Sequence, residues 1–201
     1  MAIDVKKIIS VYSIGELPRD NKGIIGVFGI YAAYNYNEFY YRIVSKTLTQ
    51  ASKEEAEKVE NQLYQAVLDC AYYTFHGART SMLWREIVEP MVETPEDEVH
   101  ALVAFTNVFG IGYLEVVELV PGEKLVTRVY NAYDPGRYLE EYGPQPHGRC
   151  YMFRACTASY MDLVYGPPFP NGMGTFKCKE VKCRSMGDKY CEFVATKNQD
   201  E

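Results

Sequence analysis

From position 37 onward the hydrophobic residues recur every three to four positions. Tyr40, Tyr41, Val44 and Leu48 fall on one side of a helix over 37–49. Ser52 followed by Glu55 is a capping-box pattern, in which each residue satisfies a backbone or side-chain partner of the other. The helix it opens carries Val59, Leu63, Ala66, Val67 and Cys70 on one stripe and continues past Tyr73 toward Gly77. A second helical stretch runs from Ala78 to Glu89 and stops at Pro90. Thr94-Pro95-Glu96-Asp97 opens the next helix, with proline in its first turn and acids on the positive end of its dipole. Before position 37 the pattern is weaker. Residues 1–23 read as a short helix and a loop, and Ile24–Ile30 as a buried strand or the start of a helix.

At Gly112 the period changes to that of strands. Residues 112–120 and 124–130 flank Pro121-Gly122-Glu123 and predict a β-hairpin. Asp134-Pro135-Gly136 reads as a turn, followed by a short helix to Tyr142. A loop over 143–148 precedes a helix over 150–165, and two strands, 176–182 and 191–196, complete the chain. The order of elements predicts a single mixed α/β (α+β) domain spanning 1–201, with an antiparallel sheet flanked by helices. Residues 1–99 form its mostly helical part.

Composition narrows the function classes. With 201 residues, 47% hydrophobic and 24% charged, the chain can bury a core of its own. A net charge of -6 and the absence of a Lys/Arg run argue against direct nucleic-acid binding. No apolar run approaches a membrane span and the first residues lack a signal-peptide core, so a cytoplasmic protein is expected. The 18 tyrosines combine an apolar ring with a polar tip and suit half-wet pockets. Tyr31, Tyr34, Tyr36, Tyr40 and Tyr41 cluster in sequence, as pocket wall or as half-buried packing. His76, His100 and His147 are scattered, which suits surface or capping roles, although His147 precedes Cys150 closely enough to support a site there.

Five of the six cysteines lie from Cys150 onward. Thiols grouped this way hold either disulfides or a soft metal, and a reducing compartment favours metal. Cys183 and Cys191 flank a short turn containing Met186-Gly187-Asp188, so both sulfurs come to the base of one hairpin. Glu180 reaches back along the strand, and the helix near Cys150 is the natural source of a fourth ligand. Cys178 shares a strand face with Glu180 and is held in reserve. Cys70 and Cys156 occupy apolar helical positions and read as core thiols.

The stretch Glu180-x-x-Cys183-Arg184-x-Met186-Gly187-x-x-x-Cys191 resembles the signature of the 4-vinyl reductase domain family, which includes the sensor domains of phenol- and xylene-responsive transcription activators. The resemblance extends to Tyr138–Gly143, Cys150-Tyr151-Met152, Ala158-Ser159-Tyr160, Gly166-Pro167-Pro168, and Gly110-Ile111 with Glu115-Val116-Val117. It covers about 100–195 well and 24–99 loosely. It implies a fold shared with vesicle-tethering subunits and a C-terminal hairpin closed by structural zinc, with Cys150, Glu180, Cys183 and Cys191 as ligands. It also implies a ligand pocket walled by Phe105, Thr106, Phe109 and Tyr130. The histidine and tryptophan with which phenol sensors of that family hold their ligand fall near Thr106 and near Val129 or Tyr130, and Trp84 lies elsewhere.

Two functional classes follow. The favoured one is a zinc-stabilised sensor domain for a small, largely apolar cyclic or aromatic molecule, signalling through a homodimer or a partner protein. The alternative is an enzyme acting on a small cyclic molecule: a vinyl reductase, or a hydrolase resembling those of amino-thiazoline-carboxylate, whose ending is similar to Gly187–Phe193. No dinucleotide fingerprint is present, and a hydrolase would have to draw its nucleophile from Cys156 or Cys178. A pure assembly subunit is the third possibility.

Overall fold

A computed structural model of the chain describes residues 3–12, 25–27, 30–32 and 37–198. Helix α1 (Val5–Tyr12) precedes the small hairpin β1 (Ile25–Val27) and β2 (Ile30–Ala32). Helices α2 (Asn37–Gln50), α3 (Lys53–Thr80), α4 (Met82–Ile87) and α5 (Pro95–Thr106) follow. The second half contains β3 (Leu114–Val120), β4 (Lys124–Val129), α6 (Tyr133–Tyr142), α7 (Tyr151–Tyr165), β5 (Phe176–Lys182) and β6 (Cys191–Lys197). The loop residues expected before position 25, and Tyr34 and Tyr36, lie outside the described residues.

Local chemistry fixes the helix ends. Ser52 accepts from the Glu55 amide while the Glu55 carboxylate accepts from the Ser52 amide. Thr94 and Asp97 repeat this reciprocal cap at α5, with Pro95 where no amide partner is needed. Each cap is worth about 1 kcal/mol. Ser81 ends α3 and caps α4, its hydroxyl accepting from the Trp84 amide. The expected helix over 78–89 is therefore divided: its first residues belong to α3, and Pro90 lies in a short 3-10 turn over Glu89–Met91.

The four-stranded sheet has the order β3-β4-β6-β5 and is antiparallel throughout. Helix α7 lies across it and α3 packs along α7, so α7 is sandwiched and ten of its fifteen residues are buried. Within that sandwich the Thr127 and Thr157 hydroxyls meet at 2.8 Å and tie sheet to helix without an orphaned polar group. Asp162 on α7 is fully buried and accepts from the amides of Gly174 (2.9 Å) and Phe176 (2.8 Å), which anchors the start of β5.

Two further expectations are revised. Asp134-Pro135-Gly136 is the first turn of α6, not a separate turn. Proline is tolerated there because a first-turn amide has no helical acceptor. Cys70 is exposed rather than a core thiol. The buried stripe of α3 runs through Leu68, Ala71, Tyr72, Phe75 and Ala78, which turns position 70 outward. Cys156 is buried as expected.

Candidate metal centre

The hairpin between β5 and β6 is shaped by its own backbone. After Cys183 the chain makes a 3-10 turn over Arg184–Met186 and closes at Gly187, whose φ of 96° is left-handed and suits glycine. The Asp188 carboxylate accepts from the Cys183 amide at 2.9 Å, and the Cys183 carbonyl accepts from the amides of Met186 (2.9 Å) and Asp188 (3.2 Å). This knuckle returns the chain so that Cys183 and Cys191 point into the same space.

Cys150 meets them from the start of α7, and Glu180 from β5. One ligand atom from each of Cys150, Glu180, Cys183 and Cys191 lies within 4.8 Å of every other. The Cys183 and Cys191 sulfurs are 3.7 Å apart. A disulfide would require about 2.05 Å. Two thiolates on a tetrahedral zinc, each at about 2.3 Å, stand about 3.8 Å apart. The three thiols are buried. Cys178 does not join this group and packs in the core.

The surroundings favour negative charge at the centre. The Arg149 amide donates to the Cys183 sulfur at 3.5 Å, and the Arg184 amide to the Cys191 sulfur at 3.3 Å. The Ser185 hydroxyl lies 3.1 Å from the Cys183 sulfur. Glu180 accepts from the Cys150 amide at 3.1 Å through Oε2, while its Oε1 is buried and has no hydrogen-bond partner among the described residues. A buried carboxylate oxygen with no donor is costly unless a cation meets it.

Without a cation the four groups must share protons. Burial pushes Cys150 far above the usual thiol range. Burial, with the Cys183 charge beside it, pushes Glu180 up to about 9. Hydrogen bonds from Cys150 and Cys191 hold Cys183 low. Cys191 is lowered by Cys150, but its bond to Cys183 and burial outweigh this and raise it. A divalent ion would replace the protons, and four protein ligands would leave no open position for water, as in structural zinc sites.

The other expected site residues are distributed differently. Phe105 is in the core, edge-on to Tyr12, Phe75, Trp84 and Phe109. Thr106 is fully buried, with its hydroxyl 2.5 Å from that of Tyr160. Phe109 is 44% exposed and Tyr130 is 50% exposed. Tyr130 packs against Tyr190, so it is not gathered with the other three. The His147 ring pairs with Glu60 at 2.8 Å and touches the centre only through its carbonyl, which accepts from Ser185 at 3.5 Å. Burial pushes Cys156 up to about 12 and raises Cys178 as well, so neither has the thiolate character of a nucleophile.

Sequence reasoning missed the role of Gly148. A β-carbon at this position would fall within the Glu180 carboxylate. Its signal, a glycine two residues before the helix cysteine, was visible but had no geometric meaning until Glu180 was placed.

No family model matches the sequence, and no curated protein does. Among solved structures, the chain is similar to the phenol-responsive sensory domain of the transcription activator PoxR, solved with phenol. The two share 9% sequence identity at a TM-score of 0.72, over 100% of this chain and 94% of that one. At this identity the likeness establishes a common fold: the chain has the architecture of that sensory domain.

Proposed function

We propose that this chain is a zinc-stabilised sensor domain of the 4-vinyl reductase type. It binds a small, largely apolar cyclic or aromatic molecule and passes the signal to a partner protein or through a homodimer. The observation that carries the reading is the 3.7 Å separation of the Cys183 and Cys191 sulfurs beside the unpartnered Glu180 Oε1. The donor set fits zinc: three buried thiolates and one half-buried carboxylate, supported by backbone amides. In this reading Cys150, Glu180, Cys183 and Cys191 hold the ion. The ion supplies cohesion by binding the start of α7 to the β5–β6 hairpin, and no chemical step.

The ligand would lie where Phe105 and Phe109 provide an apolar wall and Thr106 with Tyr160 provides a buried polar pair. Thr106 stands near the position of the ligand-holding histidine in phenol sensors of the resembling family, so the preferred ligand need not be phenol. Tyr130 closes the pocket in this reading only if its strand end reorganises.

A thermal-shift screen of phenols, substituted benzenes and larger rings tests the reading, with and without a zinc chelator. The expected result is a compound class that raises the melting temperature of the metal-loaded protein and loses its effect after chelation. No shift with any compound, together with no zinc in the isolated protein, would overturn it.

A further inference from the structure

A partly enclosed cavity of about 100 Å³ lies against the outside of the metal centre, with Cys150 in its wall. It is bounded by α2, by the chain leading into β3, and by the first turns of α6 and α7. It is distinct from the Phe105 and Thr106 region. Three tyrosines line it: Tyr40, Tyr133 and Tyr151. The Tyr133 hydroxyl donates to Glu38 at 2.7 Å, and that of Tyr151 to Glu60 at 3.1 Å. With their hydroxyls engaged, these two offer the cavity their rings.

Two charged groups reach the same space, Asp134 and Arg149. Arg149 is compensated, because its guanidinium pairs with Glu60. Asp134 is not. It makes no hydrogen bond and no ion pair with any described residue, although it sits in the first turn of α6, where acids ordinarily accept backbone amides. Burial pushes its carboxyl up to about 6, so near neutral pH it is mostly an ionised carboxylate facing an apolar cavity. An uncompensated carboxylate among aromatic rings suits an ammonium group, which gains both the ion pair and the ring faces.

We propose that this cavity binds a small protonated amine of about four to six heavy atoms, with Asp134 as its counter-ion and the tyrosine rings around its alkyl part. The size follows from volume: an apolar cavity of about 150 Å³ admits benzene, so about 100 Å³ admits something smaller. The site goes beyond the sensor function proposed above and does not depend on the ligand class proposed there.

Isobutylamine and its neutral isostere isobutanol are suitable probes on the full metal-loaded chain at pH 7.5. Affinity is measured by calorimetry, and location by the methyl resonance of Met152, which lines the cavity. The amine should bind at least tenfold more tightly than the alcohol and shift Met152, and Asp134→Asn should reduce the preference to twofold or less. If Asp134→Asn does not fold, the wild-type comparison still decides, together with Tyr40→Leu, which keeps the carboxylate and should weaken amine binding severalfold. Equal affinity for the two probes, a preference that survives Asp134→Asn, or no Met152 shift with either probe would each overturn the proposal.

Discussion

The Glu180 carboxylate occupies the space that a side chain at position 148 would need. The absence of a β-carbon at Gly148 lets the loop before α7 close over β5, which brings the Cys150 amide to within 3.1 Å of Glu180 Oε2. A single missing methyl group therefore joins the two halves of the metal centre.

Gly148→Ala should displace Glu180 and leave the three thiols nearly in place. The expected outcome is a folded protein with at least tenfold weaker zinc binding, since supporting contacts of this kind are worth about 10–100-fold in affinity. Competition with a colorimetric chelator measures this. Wild-type affinity in the variant would show that Glu180 is not a ligand.

Cys183→Ser removes the sulfur on which the other groups converge. Metal and stability should be lost together, because binding free energy at a buried site formed by folding is also folding free energy. Metal analysis of the purified variant and a thermal melt should both fall. A variant that keeps one zinc per chain contradicts the assignment.

Protons should leave as the metal enters. Cys150, Cys191 and Glu180 are all raised in the metal-free centre, so they carry protons at neutral pH that a cation must displace. Calorimetry in buffers of different ionisation enthalpy should show release of roughly three protons per ion at pH 7, and apparent affinity should rise with pH. Zero release would mean that the centre is already deprotonated.

Asp134 gives a second pH dependence of known sign. Its folded value of about 6 exceeds the ordinary carboxyl value of 3.8, so the folded state holds the proton more tightly. Stability from this group is fully present below the unfolded value and is lost as pH rises toward 6. Asp134→Asn should therefore match the wild type at about pH 3 and exceed it by up to about 3 kcal/mol at pH 8, both without metal. Urea unfolding at the two pH values is the measurement, and equal stability at pH 8 would contradict a half-buried, unpaired carboxylate.

What was legible in the sequence was local. Ser52 with Glu55, and Thr94 with Pro95, marked two helix starts because capping involves only neighbouring residues. The turn between Cys183 and Cys191 was legible for the same reason, and Cys150 entered through a family resemblance. Placements that depend on distant packing were not legible. Cys70 turns outward because α7 selects a different face of α3. Tyr130 faces Tyr190 because β4 ends beside β6. The cavity at Asp134 is made by first turns of helices far apart in the chain, so no short motif could announce it.

X-ray absorption at the zinc edge on the protein as isolated tests the central claim most directly. The account requires one zinc per chain, with three sulfur neighbours at about 2.3 Å and one oxygen at about 2.0–2.2 Å. A metal-free protein with Cys183 and Cys191 joined as a disulfide, or an ion surrounded mainly by nitrogen and oxygen, would contradict it.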